Sequence, residues 1–451
     1  MKKIEEEFIR YIEANPSQSK KSAIKTTCAI QNSPLAYKVP GQQSPVAIYT
    51  HTLQIPKFFN ETDQKRFEAL CSSFYVIFEK TIRAWKADPA VRDLFGFSPR
   101  LSELVMEDSG YASLVPMLRI DVFYNEETGD FKVCEFNTDG TSAMYENRMT
   151  EEFLSLNNAW NEISEHWEIE HQELMDSWVD AFLLDVEQAT GNTHPSIAIA
   201  DYLENAYLPE LYAFADVFKA RGLTCEVVDV RDFAFDGTSL QSAKTGTHFD
   251  AIYRRAVTSD VMNHYDESSA FLDAVRMKKA VLIGGFQTQV IHSKAISEAL
   301  FSPVLRKYFT DEEKDFLDRH LPASFDLTAE TARWVMENKD TWIIKPKEGY
   351  GAKGVWAGVD VSDKLWKKLI EDSCSGGFIA QTYIPHYKTP NIDLLVDENV
   401  EMYANLTVLY VYNGRFAGVY SRLSNAGIVS TQYNERMVPT LFVKDDEPSD
   451  K

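Results

Sequence analysis

The period of the apolar positions changes several times along the chain, and each change marks an element. Residues 62–85, TDQKRFEALCSSFYVIFEKTIRAW, set Phe67, Leu70, Phe74, Phe78 and Trp85 at helical spacing behind Thr62 or Asp63 as a cap, which predicts a core-facing helix. LRIDVFYNEETGDFK, residues 118–132, alternates with period two on either side of the turn-like NEETGD and predicts a hairpin. From about residue 149 to 190 a helical region rich in Trp, Leu and Glu closes at ATGNTHP, where Gly191 and Pro195 mark a boundary. Beyond it SIAIAD, TCEVVDV and HFDAIYRR read as strands and NAYLPELYAFADVFKARGL as a helix stopping at Gly222, the order of a small parallel α/β unit. AVLIGGFQTQVIHSKAISEAL joins an apolar strand to a helix that displays Lys294. Strand-rich blocks follow at TWIIKPKEGYGAKGVWAG (341–358), GGFIAQTYIPHY (376–387) and EMYANLTVLYVYNGRFAGVYSRLSNAG (401–427). The last reads as two alternating strands around the turn YNGR, with Arg422 on the second. No repeat or low-complexity tract interrupts the chain, and the tail KDDEPSDK is expected to fray.

The hairpin raises the first chemical question. In an extended chain Val133, Glu135 and Asn137 project to one face, and Cys134 and Phe136 to the other. Arg119 and Asp121 on the preceding strand fall on the side of Glu135 and Asn137, while Cys134 is expected in the core. Hard oxygen donors such as Asp121, Glu135 and Asn137 suit Mg²⁺, which is usually held by one or two carboxylates plus substrate phosphates. A solvated face with scattered acids accounts for the same pattern.

Composition narrows the choice. At 451 residues the chain exceeds one ordinary core and implies about two or three domains. Its 46 Lys+Arg against 68 Asp+Glu give a net charge of −22, which argues against nucleic acid or an anionic membrane as partner, because phosphate surfaces favour a basic face. The start, MKKIEEEFIRYIEANPSQ, follows its lysines with acids instead of an apolar core and does not read as a signal peptide. No run approaches the roughly 18 apolar residues of a membrane span. Cys28, Cys71, Cys134, Cys225 and Cys374 are odd in number and free of CxxC pairs, which fits a reducing cytosol and neither a disulfide framework nor a zinc site. A cytoplasmic protein is expected.

The block at 341–358 carries Gly349, Gly351 and Gly354 at G-x-G-x-x-G spacing, which alone is weak evidence for any nucleotide site. A dinucleotide fold needs a helix after the glycines, whereas VWAGV reads as a strand. The glycines therefore read as the tip of a β-hairpin laid over phosphates, where backbone N–H groups approach an anion closely. Lys345, at the end of the first strand, is placed to reach the same phosphates. A protein kinase also uses a glycine hairpin, but DRH at 318–320 is not HRD and no DFG occurs. The segment Gln381 to Ile384, with Tyr383 between, reads either as a hinge whose backbone meets an adenine edge or as an ordinary strand end. Lys294 taken singly reads as a solvated lysine, and Arg422 as a salt-bridge partner.

Taken in order, these pieces resemble the ATP-grasp superfamily in its circularly permuted, glutathionylspermidine synthase-like branch. RID followed by CEFNTDG is similar to that family's R-x-D and E-x-N metal strands, HSKAISEAL to its lysine helix, IIKPKEGYGAKGV to its K-P-x-x-G loop, QTYI to its adenine hinge and YSRLS to its late arginine. The metal strands precede the lysine, the order shared with eukaryotic glutathione synthetase. The resemblance covers roughly residues 100 to 440. It implies an α/β fold with a helical N-terminal extension (1–90), a metal-binding part of the catalytic region (91–190), a pre-ATP-grasp α/β domain (191–290) and a nucleotide-binding region (291–451).

The activity so implied is an ADP-forming ligase that uses ATP and Mg²⁺ to join a small-molecule or peptide carboxylate to an amine through an acyl phosphate. Asp121, Glu135 and Asn137 would hold the metal, Arg119 and Arg422 the reacting groups, and Lys294, Lys345, the three glycines and the segment Gln381, Tyr383 and Ile384 the nucleotide. Another ATP-dependent phosphotransferase or a non-catalytic ATP-binding module shares these features. The acid, the amine, the general base and the oligomeric state are not specified by the residues.

Overall fold

The alternating runs around residues 120 and 410 meet in the largest sheet of the computed structural model, which describes residues 2–36, 49–204, 206–347, 354–425, 429 and 435–444. The order is β1 (His51–Thr52), β20 (Glu435–Val438), β19 (Arg415–Ser424), β18 (Val400–Tyr412), β3 (Met117–Tyr124) and β4 (Phe131–Asn137), with β17 (Lys388–Ile392) paired to the first part of β18. All pairs are antiparallel except β1 with β20. Between β18 and β19, Asn413 and Gly414 both take positive φ, 46° and 80°, the backbone that Asn-Gly favours in a two-residue hairpin turn.

One face of this sheet carries Ile120, Val122, Phe136, Leu409 and Val411 and packs on the helix Glu61–Ala87. Phe74 and Phe78 of that helix lie 5.1 and 4.7 Å from the Phe136 ring. The helix matches its predicted span, but its cap is Asn60 and not Thr62 or Asp63. The Asn60 side chain accepts from the Asp63 N–H, and the Asp63 carboxylate accepts from the Asn60 N–H. Asn60 ends a strand and already holds the extended backbone that a cap needs. The other face carries Met117, Val408, Tyr410, Tyr420 and Met437, covered in part by the helices Met144–Glu152 and Leu174–Thr190 through Met144, Met149 and Trp178.

A second sheet is wholly parallel, in the order β12 (Val281–Ile283), β11 (Ala251–Arg254), β6 (Ile197–Asp201), β7 (Cys225–Asp229). The helix Leu208–Ala220 links β6 to β7 and gives way at Gly222, φ 80°, as its sequence predicts. Strand order reverses direction between β6 and β11, which opens a crevice at their carboxyl ends, where Asp201, Arg254 and Arg255 stand. The third sheet is antiparallel: β13 (Ser324–Asp326), β16 (Phe378–Thr382), β14 (Trp342–Pro346) and β15 (Trp356–Ala357), backed by the helices Ala329–Glu337 and Asp363–Ser373.

Two small sheets complete the fold: β2 (Lys57–Asn60), β21 (Thr440–Val443) and β5 (Ile169–Glu170), and β8 (Phe233–Phe235), β9 (Leu240–Ser242) and β10 (His248–Phe249). Through β1 and β2 the N-terminal segment enters sheets built from late strands. The helical region expected from 149 to 190 is interrupted. Asn157 caps a short helix, Asn158–Ile163, then β5 intervenes, and the helix that ends at Gly191 begins only at Leu174. Capping by the Asn157 side chain outweighs the helical period there. Among the described residues no helix is long and apolar enough to cross a membrane.

Asp185, on the Leu174–Thr190 helix, is buried where that helix meets the β18–β19 turn. Its Oδ1 accepts from Asn413 Nδ2 at 3.0 Å, and Oδ2 has no hydrogen-bond partner among the described residues. Burial pushes its carboxyl up to about 7, with the Asn413 bond pulling the other way. The unfolded carboxyl ionises near pH 4, so the folded state is penalised progressively as pH rises from about 4 to about 7, by at most about 4 kcal/mol. Asp185→Asn is expected to abolish that decline and to raise stability at pH 8 above wild type. Urea midpoints at pH 5 and pH 8 check this, and a wild-type decline that persists in the variant would assign it elsewhere.

Candidate active site

β3 and β4 pair Arg119 with Asn137 and Asp121 with Glu135, and then the register slips so that Val122 faces Val133 and Cys134 is left unpaired. This bulge alters the faces read from strict alternation. Val133 turns with Phe136 into the helix-covered core, whereas Cys134 packs against the cluster on the opposite side. The expectation of a core Cys134 is therefore corrected: the residue is half-buried on the site face, and one inserted residue is enough to move it there. Burial pushes its thiol up to about 12, and its carbonyl accepts from Lys345 Nζ at 3.4 Å.

Asp121 is the buried centre of the site. Arg119 donates to it through Nε (2.8 Å to Oδ1) and Nη2 (3.1 Å to Oδ2), and Arg422 through Nη2 (3.0 Å to Oδ2). Arg422 also faces Glu435 at 3.6 Å, and Arg119 Nη1 donates to the Ser142 carbonyl at 3.4 Å. Glu135 is the open carboxylate, its side chain 41% exposed, with Arg119 Nη2 at 3.7 Å and Asn137 Nδ2 donating to Oε1 at 3.3 Å. Burial opposes its ionised form, yet Arg119, Lys345 and Lys294 together hold its carboxyl below the usual range.

The cations come from separate segments. Lys345, on β14, is buried and donates to Gln381 Oε1 at 2.8 Å, while Gln381 Nε2 donates to Ser324 Oγ at 2.9 Å. Lys294 lies in a turn between the short helices Gln289–His292 and Ile296–Ala299, not on a continuous helix. Ser293 takes extended backbone there, and its hydroxyl accepts the Ala295 N–H. Arg119, Asp121, Glu135, Asn137, Lys294, Lys345, Gln381 and Arg422 are thus brought together. Tyr383 and Ile384 follow the end of β16, and the Tyr383 N–H donates to the Thr341 carbonyl at 2.8 Å. The β14–β15 pairing gives the expected hairpin, with Gly354 at φ 74° beside Pro346. Gly349 and Gly351 lie outside the described residues.

For Mg²⁺ the donors are of unequal kind. Among the described residues no group of His, Cys, Asp and Glu forms a ready metal cluster. Asp121 is occupied by guanidinium N–H groups at both oxygens. Glu135 and Asn137 supply one carboxylate and one amide oxygen on the open side, a set that fits a Mg²⁺ arriving on phosphates and keeping water.

Asp139 was not singled out by sequence. It forms a fully buried ion pair with Arg254 and accepts the Thr258 N–H, while Arg254 Nε donates to the Gly284 carbonyl at 2.6 Å. Loop 138–143 is thereby fixed to the carboxyl ends of β11 and β12. Gly140 permits the approach: at φ 60°, an added Cβ would stand 2.7 Å from Val257 Cγ1 and 2.9 Å from the Arg255 carbonyl. The available signal was the arginine pair ending the apolar strand HFDAIYRR, since buried guanidiniums demand acidic partners.

The fold is a mixed α/β architecture of several sheets. No protein-family model matches the chain, and no curated protein matches it in sequence. Among solved structures it is similar to a glutathione synthetase-like effector from Globodera pallida in its apo form, with a TM-score of 0.57 and 11% identity over 93% of this chain and 96% of that one. Two weaker likenesses, on which nothing rests, are to a putative gamma-glutamylcysteine synthetase from Methylobacillus flagellatus (TM-score 0.43, 11% identity, 83% and 85% covered) and a D-cycloserine synthetase (TM-score 0.29, 15% identity, 55% and 74% covered).

Proposed function

We propose that the protein is an ATP- and Mg²⁺-dependent ligase of the glutathionylspermidine synthase-like branch, joining a small-molecule or peptide carboxylate to an amine through an acyl phosphate. The observation that carries this reading is Glu135, an open carboxylate 3.7 Å from Arg119 whose ionised form is also favoured by the charges of Lys345 and Lys294, three cations from separate stretches of chain. Such a set suits a triphosphate that brings its own cation. In this reading residues 91–190 and 291–451 build the catalytic region, 191–290 the pre-ATP-grasp unit and 1–90 an extension. The protein would work in the cytoplasm without nucleic acid or membrane.

Attack of a carboxylate on ATP sets two anions against each other. Glu135 and Asn137 would hold a Mg²⁺, whose charge would offset this repulsion. Lys294 and Lys345 would neutralise the remaining phosphate charge. Arg119 and Arg422, held in place by Asp121, present guanidiniums to the carboxylate and the transferring phosphoryl group. The backbone at Tyr383 and Ile384 meets the adenine, while the Gln381 side chain positions Lys345. Incubation with ATP, Mg²⁺ and pools of acids and amines is expected to give a product lighter than its two parts by one water, seen by mass spectrometry. Consumption of ATP without any such product would reject the ligase reading.

ATP with Mg²⁺ is expected to stabilise the protein against heat where NAD does not, by about 2.7 kcal/mol at a hundredfold excess over Kd. Lys345→Ala should remove most of that gain and Lys388→Ala, an exposed lysine on β17, none of it. Equal effects of the two in differential scanning fluorimetry would remove Lys345 from the nucleotide site.

A further inference from the structure

We propose that Glu146 is the catalytic proton acceptor for the amine substrate; the assignment rests on the ligase reading and gives that site the base the sequence did not specify. Glu146 lies in the first turn of the Met144–Glu152 helix, whose N-cap Ala143 holds a left-handed φ of 80°. That backbone is costly for any residue but glycine and persists only where its surroundings enforce it. Here the enforcement is visible. The Tyr145 N–H donates to Glu210 Oε2 at 3.0 Å, Glu210 is ion-paired with buried Arg255 at 2.7 Å, and the Ser142 carbonyl accepts from Tyr410 Oη at 2.7 Å. The strained start aims Glu146 at the site face of the main sheet, where Tyr420 Oη stands 3.4 Å from its Oε2.

The charged and titratable groups facing Glu146 are Glu435 from β20, Arg422 and Tyr420 from β19, and Glu210 from the Leu208–Ala220 helix. Arg422 connects this corner to the reacting centre, with Asp121 at 3.0 Å on one side and Glu435 at 3.6 Å on the other. Burial, and then Glu435, push the Glu146 carboxyl up to about 7, with Arg422 and Tyr420 acting against them. A base poised there accepts a proton near neutral pH, the range in which proton transfer by a side chain is most effective. Two carboxylates beside one arginine also leave this corner able to attract a cation, and an amine substrate arrives as an ammonium.

The step balances. The Glu146 carboxylate takes one proton from the ammonium, and the freed nitrogen lone pair forms the C–N bond at the acyl carbon. The C–O bond to phosphate then breaks, and the phosphate leaves with that electron pair and the second nitrogen proton. Acyl phosphate formation itself needs no base here, so the two half-reactions can be separated. Hydroxylamine is already neutral at pH 7 and serves as a nucleophile that asks for no deprotonation beforehand.

The test supplies ATP and Mg²⁺ with γ-glutamylcysteine plus glycine and with glutathione plus spermidine, and repeats each acid with hydroxylamine. Glu146→Gln is expected to lower amide formation at least a hundredfold and hydroxamate formation less than threefold, and Glu146→Asp to restore part of the amide rate. Tyr420→Phe is expected to move the acid limb of the amide pH profile to higher pH. Equal loss of both products in Glu146→Gln, or no loss of either, would overturn the proposal while leaving the ligase reading intact. A wild-type protein that turns over neither acid with any nucleophile would reject the ligase reading for these substrates and take the proton role down with it. Melting curves of both Glu146 variants show whether a loss of rate is a loss of fold.

Discussion

Glu135→Gln is expected to lower ATP-dependent ligation by about a thousandfold, or roughly 4 kcal/mol at 1.36 kcal/mol per tenfold, while the melting temperature stays within about 2 °C of wild type. The side chain is open, and its hydrogen bond to Asn137 survives in the amide, so little folding energy is at stake. What disappears is the negative charge among Arg119, Lys294 and Lys345. Under the proposed function the site would then keep its attraction for phosphate but lose the carboxylate proposed to hold Mg²⁺, so the chemical step is expected to suffer more than nucleotide binding. Asn137→Ala should act in the same direction more weakly, because an amide oxygen carries no formal charge. Initial rates of ADP release and a thermal melt on each variant decide the matter, and near-normal turnover in Glu135→Gln would place the metal elsewhere.

The neighbouring carboxylate should behave in the opposite way with respect to stability. Asp121 is 1% exposed and accepts N–H groups from both Arg119 and Arg422. In Asp121→Asn one oxygen becomes a donor that faces guanidinium N–H groups, and two buried arginines lose the carboxylate they share, keeping only the longer contacts to Glu135 and Glu435. Removing one partner of a buried ion pair costs about 3–5 kcal/mol. Asp121→Asn is therefore expected to lower the urea midpoint markedly and to abolish turnover, because neither arginine keeps its aim. A variant that unfolds at the wild-type midpoint would show that the two arginines are organised by something other than Asp121.

These residues show how far the sequence could be read. Period two placed Arg119 and Asp121 beside Glu135 and Asn137, and Asn-Gly placed the β18–β19 turn, because side-chain alternation and turn chemistry are local properties. Cys134 was misplaced because a bulge inserts one residue without altering composition. Lys294 was put on a helix because Ser293, which bends the chain into a turn there, is also tolerated within one. The long helix was overextended for a similar reason at Asn157. Glu146 was invisible since nothing in MYEN distinguishes a base from a solvated glutamate. Its environment is made by β19, β20 and the Leu208–Ala220 helix, none of which is near it in sequence.

The bond between Arg422 and Asp121 joins residues 301 positions apart, across β18 and β19, which are made late. During synthesis β3 and β4 leave the ribosome before β18 and β19, as a hairpin with both edges unpaired and one aspartate facing a single arginine. Isolated hairpins are marginal in water, and open edges invite pairing with other chains. The hairpin must wait until the stretch through Ser424 has emerged, and such distant closures are slow. The nascent protein is therefore most exposed to aggregation after β4 has emerged and before β18 and β19 have. The same delay means that no chain ending before Arg422 brings both arginines onto Asp121, so this buried charge cluster is completed only near the end of synthesis.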